Sequence, residues 1–178
     1  MTTADLQQTT EAAGADDRET IAAALRLGLR SLAKAVVVIT CRHDGTRYAM
    51  AATAVSELSM DPPSMLICVN KSASLYAPLS EGADFCINIL RSASSEISAA
   101  CSGKMKGEAR FALGTWAESA VGAPRLEEAQ ASIACRNVQR TEFGTHGVFI
   151  GEVVEVASDS AADPLVYMDG RYGRVAVG

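Results

Sequence analysis

Aromatic residues make up only 5% of this 178-residue chain, so its core has to be built from aliphatic side chains. No run approaches the roughly 20 consecutive apolar residues of a membrane-spanning helix. Basic residues are few. The 16 Lys and Arg against 21 Asp and Glu leave a formal charge of −5, without the positive footprint that nucleic-acid phosphates require. The first residues, MTTADLQQTTEAAGADDRE, lack the basic start and apolar middle of a secretory signal, and a cytoplasmic location is expected. The five cysteines (Cys41, Cys68, Cys86, Cys101 and Cys135) form no C-x-x-C pair. Four of them lie in apolar, strand-like surroundings, where a thiol acts as a small hydrophobe, so buried reduced thiols are expected. There is no G-x-G-x-x-G and no G-x-x-x-x-G-K-[ST], so a dinucleotide would not sit on a Rossmann helix. No H-E-x-x-H and no cysteine cluster points to a metal, and no G-x-S-x-G elbow points to a hydrolase.

What is present reads as strands and turns. The length suffices for one domain with a real core. Residues 1–16 are expected to form a flexible tail, and residues 17–178 a single domain. Asp16 or Asp17 can cap a helix whose apolar residues Ile21, Leu25, Leu29 and Leu32 recur at helical spacing. Val36 to Cys41 is continuous and β-branched, as in a strand buried on both faces. Asp44-Gly45 is a hairpin turn, and Arg47 to Ala51 returns from it. Thr53 to Ser59 reads as a small polar loop, Met65 to Val69 as a strand, and Ser72 as the cap of a short helix. Phe85 to Leu90 is a further strand. A long hairpin spans Ala131 to Ala157 around Gly144-Thr145-His146-Gly147, and Leu165 to Met168 closes the pattern. Strand–helix–strand alternation is missing, which excludes a doubly wound sheet. A closed or partly closed antiparallel barrel with a few peripheral helices fits.

Two stretches offer polar groups instead of packing them. Ala51-Ala52-Thr53-Ala54-Val55-Ser56 combines small residues with hydroxyls, a floor on which a flat heteroaromatic ring can lie. Asn70-Lys71-Ser72-Ala73-Ser74 supplies N–H groups, hydroxyls and a positive charge at an expected helix start, a cradle for phosphate. Arg110 and the Lys104 to Lys106 loop can add a second contact to the phosphate. The alternatives are plain: a Ser/Thr-rich turn, a capped helix and a solvated basic loop.

The chain resembles the flavin reductase-like domain family. The resemblance runs from about Leu32 to Val175 and rests on ordered motifs: Ala49 to Ala54, Ser59-Met60-Asp61-Pro62-Pro63, Cys68 to Ser74, Phe85 to Leu90, Arg110-Phe111, Gly144-Thr145-His146, Pro164 to Tyr167 and Gly170-Arg171-Tyr172. It implies a mainly β fold, a flavin-binding split β-barrel (antiparallel, Greek-key), which agrees with the strand pattern. It also implies an NADH-dependent, or NADPH-dependent, flavin reductase. Such an enzyme supplies reduced FAD or FMN to a separate monooxygenase, here in aromatic-compound degradation, and is a homodimer. Thr53, Ala54, Val55, Ser56, Asn70, Lys71, Ser72, Ser74, Arg110 and Phe111 are then expected around the flavin. His146, Gly170, Arg171 and Tyr172 are expected around the nicotinamide nucleotide. Hydride transfer between two stacked rings needs no acid or base from the protein, so His146 would seat the nicotinamide and take no proton. Two positions depart from the family pattern. Thr145 stands where an acidic residue is common, and Met168 and Asp169 where an aromatic and a basic residue are frequent. They leave open a second reading, a non-catalytic flavin carrier on the same barrel.

Overall fold

A computed structural model describes residues 3–159 and 161–176, with side chains from Asp17 onward. The helix expected from Asp16 or Asp17 is longer than that, running as α1 (Thr3–Arg30). Met1, Thr2 and the side chains of residues 3–16, where a tail was expected, lie outside the described residues. After the two-residue strand β1 (Lys34–Ala35), β2 (Val37–His43) turns into β3 (Thr46–Ala52). Asp44 and Gly45 have φ of 47° and 76°, the left-handed pair that a tight two-residue hairpin demands. Only Thr53 and Ala54 separate β3 from β4 (Val55–Met60), and Asp61-Pro62 leads into β5 (Pro63–Asn70). Next come α2 (Tyr76–Ser80), β6 (Phe85–Ile89), α3 (Ser95–Ala99), a π turn at Ala100–Lys104 and a 3-10 turn at Gly107–Phe111. The chain ends in the small hairpin β7 (Trp116–Glu118) and β8 (Pro124–Leu126), the long hairpin β9 (Ala131–Phe143) and β10 (His146–Ser158), and β11 (Leu165–Met168) with β12 (Arg171–Arg174).

Seven antiparallel strands form one sheet in the order β3-β2-β6-β9-β10-β5-β4. Its two edge strands, β3 and β4, are neighbours in the chain. Three Cα–Cα steps from Ala52 to Val55 span at most about 11 Å, so the edges are drawn together and the sheet must curl into a barrel. The seam of that barrel is Thr53-Ala54, and the Ala54 carbonyl accepts a hydrogen bond from the Cys68 N–H at 2.9 Å. The mainly β, antiparallel split barrel is the fold expected from the strand pattern.

β2 explains why a continuous apolar run was needed. Val37, Ile39 and Cys41 face the barrel interior with Ile67, Val69, Phe85, Ile87, Cys135 and Phe149. Val36 and Val38 face a second core with Ala49, Leu90, Cys101, Phe111, Leu126 and Leu165. The Asn88 side chain is buried in this strand layer and fully bonded. The Asn88 carboxamide oxygen accepts from Leu126 N–H at 2.8 Å and from Ser132 Oγ at 2.9 Å, while Nδ2 donates to the Val38 carbonyl at 3.1 Å. Asn88→Ala strands these partners in a dry interior, and a loss of about 3 kcal/mol is expected in urea unfolding, since each buried orphan costs roughly 1–3 kcal/mol.

Two local expectations are corrected. The polar loop over Thr53 to Ser59 is only Thr53 and Ala54; Val55 to Met60 form an edge strand paired with β5 from Val55↔Ile67 to Met60↔Pro63. Ser72 caps no helix. α2 begins only at Tyr76, and the Asn70 carboxamide oxygen takes both the Ser72 N–H and its hydroxyl, each at 2.9 Å. This local turn competes with capping. The long helix with Met168–Arg171 forms one compact unit, and Lys34–Tyr167 with Tyr172–Gly178 the other. Within the first, Asp169 accepts from the Arg30 guanidinium at 2.7 Å.

Candidate functional site

A groove runs along β3 beside the barrel seam. It consists of two hollows, of about 520 Å³ and about 320 Å³, which share Ala51 and Ser102 as lining. Small residues make its walls: Ala51, Ala73, Gly103 and Gly107 in the larger part, Ala52 in the smaller. Gly103 and Gly107 have φ of 108° and 53°, and a Cβ on either would meet nothing within 4 Å. Both conformations favour glycine, that of Gly103 most strongly, and glycine leaves the wall bare.

The two ends differ in chemistry. At the larger end Ser72, Ser74, Lys106 and Arg110 converge. Arg110 ties three walls together. Its Nε donates to the Met105 carbonyl at 3.1 Å, and its Nη1 donates to the Ala49 carbonyl at 2.6 Å and to Ser74 Oγ at 3.0 Å. Its Nη2 has no protein partner among the described residues. The result is an electropositive, donor-rich end with one guanidinium edge unspent. At the smaller end Thr53 faces Tyr167 and Tyr172. These two rings pack edge to face with centroids 5.5 Å apart, and the Tyr172 hydroxyl lies 2.9 Å from Ser98 Oγ.

Next to the groove stands the β9–β10 turn. His146 pairs with Asn70 in the β5–β10 register, and its Nδ1 lies 2.9 Å from Thr145 Oγ1. The Lys71 N–H donates to the Thr145 carbonyl at 2.9 Å. Glu142 accepts from the Tyr76 hydroxyl at 2.7 Å and faces Lys71 Nζ at 2.8 Å. The hydrogen bond to Glu142 holds the Lys71 ammonium above its ordinary pKa, and the Lys71 and Tyr76 donors hold the Glu142 carboxyl below its own.

Of the residues singled out in the sequence, Thr53, Ser72, Ser74, Arg110 and Tyr172 come together on the groove. Others do not line it. Ala54, Val55 and Ser56 lie at the seam and on the edge strand, with Val55 packed against the barrel core and Ser56 Oγ bonded to the Glu57 carbonyl. Asn70 is spent on Ser72, and Lys71 turns away to Glu142. Phe111 is 7% exposed in the second core, edge-on to Trp116 at 5.1 Å, with the Arg47 guanidinium 4.3 Å over its ring. His146 is beside Asn70 and does not line either hollow. Gly170 forms the left-handed turn before Arg171 in the other unit. The residues that sequence reasoning missed include Ser98, Ser102, Gly103 and Tyr167. The four-residue spacing of Ser98 and Ser102, on one side of a helical stretch, was the one available signal.

A wider hollow of about 790 Å³ elsewhere is lined by Arg91, Arg125, Glu127, Glu128 and Asp159. Its two arginines are already paired, Arg91 with Asp159 and Arg125 with Glu155, and it contains none of the residues singled out above. The groove on β3 is the better site.

The sequence matches the flavin reductase like domain over residues 29–176. It is 38% identical over 151 residues to the FMN reductase (NADH) RutF of Variovorax paradoxus, a match that covers 85% of this chain and 84% of that protein. It is also 38% identical over 149 residues to the reductase component of an FADH(2)-dependent resorcinol hydroxylase from a Rhizobium species, covering 83% of each. Among solved structures, the NADH:FAD oxidoreductase SgcE6 of Streptomyces globisporus, in complex with NAD and FAD fragments, shares the fold with a TM-score of 0.79. That similarity is at 25% identity and covers 85% of this chain and 91% of that one.

Proposed function

This chain belongs to the flavin reductase-like domain family, and from that premise we propose that it is an NADH-dependent flavin reductase supplying reduced FAD or FMN to a separate monooxygenase in aromatic-compound breakdown. The observation that carries this reading is the groove on β3, with its small-residue walls and its positive, donor-rich end. A flavin fits such a site. Its phosphate needs N–H, hydroxyl and guanidinium donors, which Ser72, Ser74, Lys106 and the free edge of Arg110 offer. Its flat ring needs a wall without protruding side chains, which Ala51, Ala52 and Thr53 offer. When bound, the flavin accepts a hydride from reduced nicotinamide. Protein groups have only to hold the two rings in register. Thr53 borders the ring next to the seam, Asn70 shapes the turn that presents Ser72 and Ser74, and Tyr172 walls the far end. Thr145 orients His146, which seats the nicotinamide.

A homodimer is part of the proposal. The registers Leu66↔Ile150 and Cys68↔Val148 put these four side chains on the outer sheet face, opposite Ile67 and Phe149 of the core. Leu58, Val154 and Val156 are exposed as well. An apolar sheet face of this kind is the sort a second copy covers, and sedimentation at micromolar concentration checks it. A cytoplasmic location is supported by the five unpaired cysteines. Burial pushes the thiols of Cys41, Cys86 and Cys135 up to about 12 and that of Cys101 to about 11. No helix among the described residues is long and apolar enough to cross a membrane.

The test follows NADH absorbance with and without FMN or FAD. Oxidation that depends on added flavin is expected, with turnover on the order of 10 s⁻¹. No flavin-dependent oxidation of NADH or NADPH defeats the reductase reading, and tight flavin retention without turnover favours the carrier instead.

A further inference from the structure

The turn that carries His146 is not held by its strands alone. Glu142, near the end of β9, uses one carboxylate oxygen to accept from the Tyr76 hydroxyl at 2.7 Å and the other to face Lys71 Nζ at 2.8 Å. Lys71 directly precedes Ser72 of the groove, and its own N–H donates to the Thr145 carbonyl at 2.9 Å. One carboxylate thus ties together three segments: the Asn70 to Ser74 turn, the start of α2 and the β9–β10 turn. Gly147 is part of the same device. A Cβ there would come within 2.8 Å of Tyr76 Cε2, so the bare backbone is what lets the Tyr76 ring lie across β10 and reach Glu142. The charged forms of Lys71 and Glu142 are both favoured by this contact.

We infer that Glu142 is a positioning residue: by gripping Lys71 and Tyr76 it fixes the His146-bearing turn against the phosphate end of the groove, and so sets the affinity for the nicotinamide nucleotide. This rests on the reading of the groove as the flavin site and of His146 as the nicotinamide seat. Neither Glu142 nor Tyr76 lines the groove, so the effect belongs to the second substrate and not to the flavin. Both partners are partly exposed, with side-chain accessibilities of 40% for Lys71 and 45% for Glu142. The coupling is therefore modest and weakens in salt.

The experiment compares Glu142→Gln and Tyr76→Phe with the parent in three readouts. In Glu142→Gln, KM for NADH is expected to rise about fivefold at low salt, the scale of an exposed pair. Its kcat and the flavin dissociation constant, read from flavin fluorescence without nucleotide, stay within twofold. Amide hydrogen exchange over residues 141–147 accelerates. Tyr76→Phe is expected to show a smaller rise in KM. An unchanged KM in Glu142→Gln overturns the inference, as does a joint shift of KM, kcat and flavin affinity, which would mark general damage to the fold. Should the parent itself oxidise no NADH with flavin present, the reductase reading fails. The exchange measurement then still decides whether Glu142 holds the turn, and unchanged exchange overturns it.

Discussion

Arg110→Met is expected to weaken flavin binding about 100-fold. A hydrogen bond to a charged group contributes about 1.5–3 kcal/mol, and 2.8 kcal/mol corresponds to a factor of about 100. Two losses combine in this variant. The unspent Nη2 edge can no longer meet the phosphate, and the bonds to Met105, Ala49 and Ser74 that hold three walls in place disappear with it. Arg110→Lys restores the charge without the fork, so it is expected to recover about tenfold and no more. Lys71→Met is the informative contrast. Lys71 belonged to the expected phosphate cradle, where Arg110 was only a second contact, yet its ammonium faces Glu142 at 2.8 Å and does not line the groove. Its loss is expected to change flavin affinity less than about threefold, the scale of a screened surface charge. Titration of flavin fluorescence checks all three variants. An Arg110→Met affinity within fivefold of the parent would remove the guanidinium from the phosphate site.

The contrast between Arg110 and Lys71 shows where sequence reasoning stops. Patterns fixed by short-range chemistry were legible. Val36 to Cys41 read as a strand covered on both sides because both faces meet apolar cores. Asp44-Gly45 read as a tight turn because few other pairs tolerate positive φ twice in succession. The β9–β10 hairpin was legible in the same way, within a few residues at each end. What depended on distant partners was not. Val55 to Met60 is polar enough to pass for a loop, and only pairing with β5 makes it a strand. Closure of the sheet at Thr53-Ala54 follows from the order of seven strands, which no local window contains. Lys71 finds its carboxylate on another hairpin. Phe111 shares a motif with Arg110, but the 3-10 turn sends the guanidinium into the groove and the ring into the core. Ser72 failed as a cap for a nearer reason: its hydroxyl turns back to Asn70, two residues before it, and α2 starts only at Tyr76.

Gly151→Ala is expected to destabilise the protein by about 3 kcal/mol and to lower the melting temperature by about 10 °C, given about 2–4 °C per kcal/mol at this size. A Cβ at this position would lie 2.4 Å from Phe85 Cζ and 2.6 Å from Cys135 Cβ. Neither neighbour has room, since both are 0% exposed inside the barrel. The strand cannot back away either, because Gly151 is paired on one side with Met65 and on the other with Asn137. The small entropic benefit of replacing glycine, about 0.4–1 kcal/mol, does not offset such a clash. The partner is identifiable, so the cause can be checked directly. Phe85→Leu alone opens a cavity and destabilises by about 1–2 kcal/mol, but in the Gly151→Ala background it removes the obstructing ring edge. The double variant is expected to be at least about 1 kcal/mol more stable than the sum of the two single changes predicts, the coupling that residues in contact show. Gly147→Ala offers a calibration on the same strand. Its nearest contact is the edge of the half-buried Tyr76 ring at 2.8 Å, which can swing outward, so a loss nearer 1 kcal/mol is expected, accompanied by release of Glu142. Thermal and urea unfolding of the four variants measures this order. A Gly151→Ala melting temperature within about 2 °C of the parent would mean that Phe85 can retreat from β10 and that the barrel interior is not close-packed around it.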